Sequence, residues 1–256
     1  MRVNFSYAKY CIILSSLFSF AVHAENKILM HVKSLDSAWE KRQSIEGQEH
    51  ILDFIKAEEK VPQDFDIDWR VARLAYFCGN FGIGKKLSED EHVKIFSYGF
   101  KTAEIAKQLE PKKAEGYYWY AVDLGSYGLA KGVLSALSNA SSGRDALLEV
   151  IKIDPSYQWA GAYRVLGRYY QELPGIISFG DKKKAAEYYQ KAMLVEPDFI
   201  LNTLYYAVLV SDLGDQKEAL KLLHEAEKLP KLDGKEEEIR YRQELVENIK
   251  KVEKKL

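Results

Sequence analysis

Cysteine, proline and glycine are all scarce in this chain: 2 Cys, 6 Pro and 16 Gly among 256 residues. Two cysteines cannot make a disulfide framework, so the fold depends on a hydrophobic core. No charge sign dominates either. Thirty-seven basic residues face 38 acidic ones, a formal net charge of −1 that supplies no global basic field for nucleic acid. Hydrophobic residues make up 47% and charged residues 29%, which excludes both a polytopic membrane protein and a disordered chain. What is left is a globular chain long enough for one large domain or two small ones.

The first 24 residues read as a secretory signal peptide. Arg2 and Lys9 precede an apolar run from Tyr10 to Val22, and Val22-His23-Ala24 supplies a small residue before the cut. The run is short for a membrane span, although an uncleaved anchor is the alternative. Cys11 falls early in the run and lacks small residues before it, so there is no lipobox. Cleavage after Ala24 removes two positive charges and Cys11, leaving a net charge of −3 and Cys78 as the one thiol. Cys78 lies in the apolar run Leu74-Ala75-Tyr76-Phe77 and reads as buried filler. The expected product is an exported, periplasmic protein with a single all-helical domain over residues 27–256.

Five of the six prolines, at 62, 111, 155, 197 and 230, follow a helical pattern. The clearest copy is Ala185-x3-Tyr189-x2-Ala192-x4-Pro197. Spacings of four and three put the first three residues on one helix face, where small residues admit a neighbouring helix and an aromatic fills the gap. Proline then stops the helix. The frame recurs as His50-Phe54-Ala57, Gly99-Ala103-Ala106, Gly143-Leu147-Val150 and Ala219-Leu223-Ala226. It resembles the tetratricopeptide repeat, a 34-residue helix–turn–helix unit. Leu166-Gly167-x2-Tyr170 and the weaker Trp69-x6-Tyr76 match that repeat's first helix. Intervals longer than 34 imply inter-helix insertions, expected as loops at 78–87, 127–142 and 173–180. No segment alternates with period two, so no strand is expected.

Helix starts agree with the frame. Ser88-x-x-Glu91 has capping-box spacing, and Asp181, Asp215 and Asp233 stand where helices should open. The last helix carries Ile239, Leu245, Ile249, Val252 and Leu256 as an apolar stripe expected to cap the open end of the stack. The expected fold class is an all-α, tetratricopeptide-like helix-hairpin solenoid with inter-helix insertions and a C-terminal capping helix.

Catalytic motifs are near-misses. Gly79-x4-Gly84-Lys85-Lys86 approaches a phosphate-binding loop, but Lys86 stands where Ser or Thr must hold Mg²⁺. The mature histidines, at 31, 50, 92 and 224, form no His-x3-His pair, and no metal or cofactor is expected. His92 beside Glu89, Asp90 and Glu91 reads as an acidic helix start rather than a ligand cluster. No Gly-x-Ser-x-Gly elbow is present. No carboxylate is expected in an apolar setting that would raise its pKa. The chain therefore reads as a non-enzyme.

Two segments are richer than packing needs. Residues 117–120 are Tyr-Tyr-Trp-Tyr, and four consecutive aromatics point all round a helix. In the segment 159–170, Arg164 and Arg168 stand one turn apart among aromatics. One reading is packing and inter-repeat ion pairs. The other is a groove with aromatic walls and guanidinium forks for an anionic or amphipathic ligand. The candidate ligand- or partner-binding residues are Tyr117, Trp119, Tyr127, Tyr163, Arg164, Arg168 and Phe179.

The segments at 116–125, 161–170, 173–175 and 180–185, with Trp39-x2-Arg42 and Asp68-Trp69-Arg70-x2-Arg73, resemble the TatT family over roughly residues 36–230. These are periplasmic tetratricopeptide proteins associated with TRAP (tripartite ATP-independent periplasmic) transporters. The resemblance implies a helical body with a hydrophobic pore or cavity, homo-oligomerisation, and partnership with a periplasmic TRAP substrate-binding protein. The aromatic and arginine segments point to a small hydrophobic or carboxylate ligand, and the balanced charge to no nucleic acid partner. The family's characterised members are lipoproteins, whereas this chain has no lipobox. Eukaryotic regulator of microtubule dynamics proteins look distantly similar, but the signal peptide argues against that role. The leading expectation is a periplasmic binding or adaptor protein. The alternatives are an envelope-assembly scaffold that binds peptide segments and an enzyme with an unrecognised site.

Overall fold

The computed structural model describes residues 26–44, 47–49, 52, 63–81, 87–232 and 236–256. The signal-peptide segment, the His50-Phe54-Ala57 copy, Asp233 and the residues 82–86 of the phosphate-loop near-miss lie outside them. Helix α1 spans 26–40. It is followed by α2 (Phe65–Phe81), α3 (Glu89–Leu109), α4 (Ala114–Lys131), α5 (Val133–Ile153) and α6 (Tyr157–Glu172). Then come α7 (Lys182–Val195), α8 (Ile200–Asp212), α9 (Gln216–Glu227) and α10 (Glu236–Glu253). No strand occurs among the described residues. Consecutive helices pack as hairpins, α2 on α3, α4 on α5, α6 on α7 and α8 on α9, and each hairpin packs on the next. The result is an all-α solenoid.

Local chemistry sets the helix ends. The Ser88 side chain accepts from the Glu91 amide while the Glu91 carboxylate accepts from the Ser88 amide, a complete capping box. Asp181 accepts from the Lys183 and Lys184 amides, and Asp215 accepts from the Glu218 amide. Helices α3, α5 and α7 each end two residues before a proline. The residue preceding each proline, Glu110, Asp154 or Glu196, leaves the helical region at φ of −131°, −149° and −133°. Clash with the proline ring forces that departure.

The repeat frame is the core. Ala103, Ala106, Leu147, Val150, Ala185, Tyr189, Ala192, Ala219, Leu223 and Ala226 are all fully buried. Their small members let the hairpins close. A Cβ added to Gly167 of α6 would stand 2.5 Å from the Tyr189 ring of α7. Buried Cys78 is a free thiol, as its apolar neighbours imply.

Three expectations need correction. Of the loop expected at 78–87, residues 78–81 belong to α2, whose packing extends the helix, and 82–86 lie outside the described residues. Residues 127–142 form helix rather than a loop, broken only at Gly132, whose φ of +106° glycine tolerates. The insertion there lengthens α4 to 18 and α5 to 21 residues, because an existing hairpin accommodates extra turns without exposing backbone. The stretch 173–181 is a true loop, closed by the Asp181 amide donating to the Tyr170 carbonyl at 2.7 Å. The apolar stripe of α10 also differs in part. Leu245 and Val252 are buried and Ile249 packs beside them, but Ile239 and Leu256 are exposed.

Helix α10 covers the end of the stack by packing on α8 and α9, and it does more. The Arg42 Nε, just past α1, donates to Glu237 of α10 at 2.7 Å. The Arg240 guanidinium lies 3.5 Å from the centroid of Phe81 at the end of α2. The last helix therefore reaches back to the first ones, and the inner face of the solenoid becomes a deep cavity that stays partly open to solvent.

Candidate functional site: an arginine and aromatic cavity

This cavity has a volume of about 610 Å³. Its walls come from the first helix of each hairpin: Arg73, Tyr76, Phe77 and Phe81 of α2; Tyr118 and Trp119 of α4; Gln158, Trp159, Arg164, Val165 and Arg168 of α6; Leu201 and Tyr205 of α8. Trp39, Glu40 and Arg42 close one side, and Glu237, Arg240, Tyr241 and Glu244 of α10 close another. The second helices, α3, α5, α7 and α9, contribute nothing to this lining, so the solenoid's curvature selects the lining residues.

Five arginines meet three glutamates here, a local excess of positive charge in a chain of formal charge −1. Their donors are unequally occupied. Arg42 is paired with Glu237 and lies 4.0 Å from the Trp39 ring centroid. Arg73 lies over Trp39 at 4.2 Å and pairs with Asp36 at 3.3 Å, while its buried Nε has no partner among the described residues. Burial pushes the Arg73 guanidinium down to about 10, against the pull of Asp36, so it remains charged at neutral pH. Arg168 pairs with Glu172 at 3.0 Å. Arg240 has no carboxylate ion-pair partner among the described residues. Burial raises the Glu244 pKa, and Arg168 and Arg240 oppose that rise.

Arg164 is structural in its bonding. Residues 158–160 adopt left-handed helical backbone, with φ of 52°, 53° and 57°, immediately before α6 becomes right-handed. Such conformations cost roughly 1–2 kcal/mol per residue. The buried Arg164 guanidinium donates from Nη1 to the Trp159 carbonyl at 2.9 Å and to Asn202 Oδ1 at 2.8 Å, and from Nη2 to the Gln158 carbonyl at 3.3 Å. Asn202, fully buried on α8, donates in turn to the Glu196 carbonyl at 2.9 Å and the Ala192 carbonyl at 3.1 Å. This bonding holds the turn that stacks Trp159 on Phe199, with centroids 5.1 Å apart and planes at 10°.

Of the seven residues singled out in the sequence, the cavity brings together Trp119, Arg164 and Arg168. Trp119 donates its Nε1 to the Tyr157 hydroxyl at 3.1 Å. The other four sit elsewhere. Tyr117 donates to the Pro111 carbonyl at 3.4 Å, and Tyr127 packs on Phe100. Tyr163 leans on Tyr188, and Phe179 packs on Tyr170 under Arg144. The two ends of the cavity wall, Arg42 with Trp39 and Arg240 with Tyr241, were not among the candidates. Trp39-x2-Arg42 was visible only as part of a resemblance, and nothing local marks α10 as a wall.

The expectation that no carboxylate has an apolar setting is overturned twice. Asp123 of α4 is fully buried, burial pushes its pKa well up, and neither oxygen has a hydrogen-bond partner among the described residues. Asp68 of α2 is buried too. Burial pushes it up to about 7, although the Asp64 amide donating to its Oδ2 at 3.1 Å works the other way. Because the folded pKa is raised from 3.8, its stabilising contribution is complete below about pH 4 and is lost as pH rises through about 7. Asp68→Asn should therefore leave urea stability unchanged near pH 4 and raise it by about 2–4 kcal/mol at pH 8. Equal effects of the substitution at both pH values would show that Asp68 is ionised in the folded state. The described residues contain no cluster of three or more His, Cys, Asp or Glu suited to a metal, and His92 stacks on Phe96.

Paired helices stacked around an inner face define a tetratricopeptide-type solenoid, here one that closes on itself. A family model for regulator of microtubule dynamics protein 1-3 matches residues 32–175, and the chain belongs to that family. This is the family to which the sequence shows only a distant likeness, and the match leaves the TRAP-associated resemblance unsupported. Among solved structures the chain is similar to TTC0263, a thermophilic TPR protein in Thermus thermophilus. Identity is 17% and the TM-score 0.56, over 87% of this chain and 98% of that one. MamA matches with 19% identity and a TM-score of 0.46, over 74% of this chain and 91% of that one. No protein of curated function matches.

Proposed function

We propose that this is a non-enzymatic binding or adaptor protein, exported to the periplasm, that holds an anionic, partly apolar ligand in the central cavity. The observation that carries the reading is the convergence of Arg73, Arg168 and Arg240 on one deep cavity with aromatic walls. A guanidinium orients a carboxylate or phosphate by paired donors, and the rings bury the apolar remainder. Arg164 serves as the frame of the site, since its hydrogen bonds run to backbone carbonyls and Asn202.

The narrower role, docking of a TRAP substrate-binding protein, rests on the sequence segments at 116–125 and 161–185 and belongs to the same proposal. So does homo-oligomerisation. The role carried in the family's name concerns microtubules, and a cleaved secretory signal would take this chain away from them.

The test is native mass spectrometry of the full chain purified without denaturation, beside Arg240→Gln. Arg240 is the choice because it has no carboxylate partner to strand. The expected result is a bound small molecule of anionic character in the parent, and retention at least roughly tenfold lower in the variant, with the helical circular-dichroism signal unchanged. A clean unliganded mass in both, together with no melting shift on adding fatty or dicarboxylic acids, would refute the cavity reading and leave a peptide-binding scaffold.

A further inference from the structure

Beside the central cavity, across the shared wall residues Tyr76, Val165 and Arg168, two aliphatic tips project near each other. The first is the α4–α5 junction, where Leu129, Val133 and Leu134 are 68%, 74% and 85% exposed. The second is the loop 173–181, where Ile176 and Ile177 are 99% and 70% exposed. The tips are neighbours, because Leu129, Gly132 and Val133 of one and Leu173 and Pro174 of the other line the same apolar recess. Water gains nothing from five bare aliphatic side chains in one place, and such patches mark docking surfaces.

The setting of the tips tells what they dock on. The loop is held shut at its base by the Asp181 amide on the Tyr170 carbonyl, and a turn is closed by the Ser178 amide on the Pro174 carbonyl at 3.0 Å. Ile176 and Ile177 thus stand on a fixed protrusion rather than in a groove. Lys131 lies between the aliphatics of the first tip, and Lys182, Lys183 and Lys184 are exposed at the base of the second. None of these four lysines forms an ion pair among the described residues. Of the nearby acids, Glu172 holds Arg168 and Asp181 caps α7, so exposed Glu187, one turn along α7, is the carboxylate left to offset the four lysines. The patch is therefore a pair of aliphatic protrusions flanking an apolar recess, with cations at the shoulder, in a chain whose overall charge is −1.

We propose that these tips dock the protein peripherally on a membrane bearing anionic lipid, with the aliphatics entering the interface and the lysines meeting headgroups. Aliphatic burial and headgroup attraction add in such binding. Among the described residues no helix is long and apolar enough to cross a membrane, so the contact is superficial. A protein partner would be better matched by the concave aromatic cavity than by a bare protrusion.

The test uses the full chain with Cys11→Ser, so that only buried Cys78 remains, and an environment-sensitive fluorophore on Ile177→Cys. Its emission should shift to the blue with phosphatidylcholine vesicles containing a third phosphatidylglycerol, and far less with phosphatidylcholine alone. A label on Glu225→Cys, exposed on α9, should not shift. Reading at the tip keeps the result independent of any anchoring by residues 1–24. Lys182→Gln with Lys183→Gln should weaken the response to anionic vesicles roughly tenfold, and Leu134→Ser with Ile176→Ser by at least as much. No shift at 177 with either vesicle, or equal shifts at 177 and 225, would overturn the proposal. A blue shift without vesicles that grows with protein concentration would overturn it in favour of a second copy of the chain.

Discussion

Tyr189→Ala should cost the protein about 3–5 kcal/mol of stability, a fall in melting temperature of roughly 10 °C for a chain of this size. Tyr189 is fully buried, and its ring fills the space that Gly167 leaves between α6 and α7. Its hydroxyl donates to Gln171 Oε1 at 2.8 Å. The substitution deletes an aromatic ring from a packed site that is fixed by helices on both sides, so little collapse can refill it. Tyr189→Phe separates the two contributions and should cost about 1 kcal/mol, the hydrogen bond alone. Gly167→Ala attacks the same contact from the other side. Its new Cβ would sit 2.5 Å from the ring, and a loss of about 1–3 kcal/mol is expected. Chemical unfolding followed by circular dichroism checks all three. If Tyr189→Ala loses less than about 1 kcal/mol, the hairpin interface is not packed as described.

Arg164→Met should be as damaging, by about 3–5 kcal/mol, for a different reason. Methionine keeps much of the volume but leaves Asn202 Oδ1 and the Gln158 carbonyl without the Arg164 donor. The left-handed turn at 158–160 then loses the contacts that offset its backbone cost. Trp159 should leave its stack on Phe199, which near-ultraviolet circular dichroism would register as a changed tryptophan signal before unfolding begins. Arg164→Lys should restore only part of the loss, because an ammonium cannot reproduce the planar fork over Phe199. A variant with wild-type stability and an unchanged tryptophan signal would show that the turn holds itself.

Much of the fold was legible because it is written in local chemistry. Prolines at 111, 155 and 197 end helices by clash with the preceding residue. Ser88, Asp181 and Asp215 begin helices by capping. The small–aromatic–small spacing around Tyr189 buries one helix face. These effects act within four residues or across one hairpin. The 127–142 segment escaped this reading because Gly and Ser suggest a loop, while the long hairpin of α4 and α5 supplies the packing that turns them into helix.

The candidate site was only partly legible. Trp119, Arg164 and Arg168 stood out by composition and do line the cavity, but composition could not say that the Arg164 donors face inward. That is tied to three consecutive residues at positive φ, a conformation costly for L-residues, whose carbonyls at 158 and 159 accept from Arg164. The buried state of Asp68 and Asp123 was hidden for the same reason, since desolvation depends on helices brought in from elsewhere. The sequence by itself determined paired helices, their order and their buried faces, through periodicity and capping. The tertiary structure alone decided that the solenoid closes: Glu237 meets Arg42 across 195 residues, and Arg240 meets Phe81. Curvature accumulates from small rotations at every interface, so no local pattern records where the last helix will land.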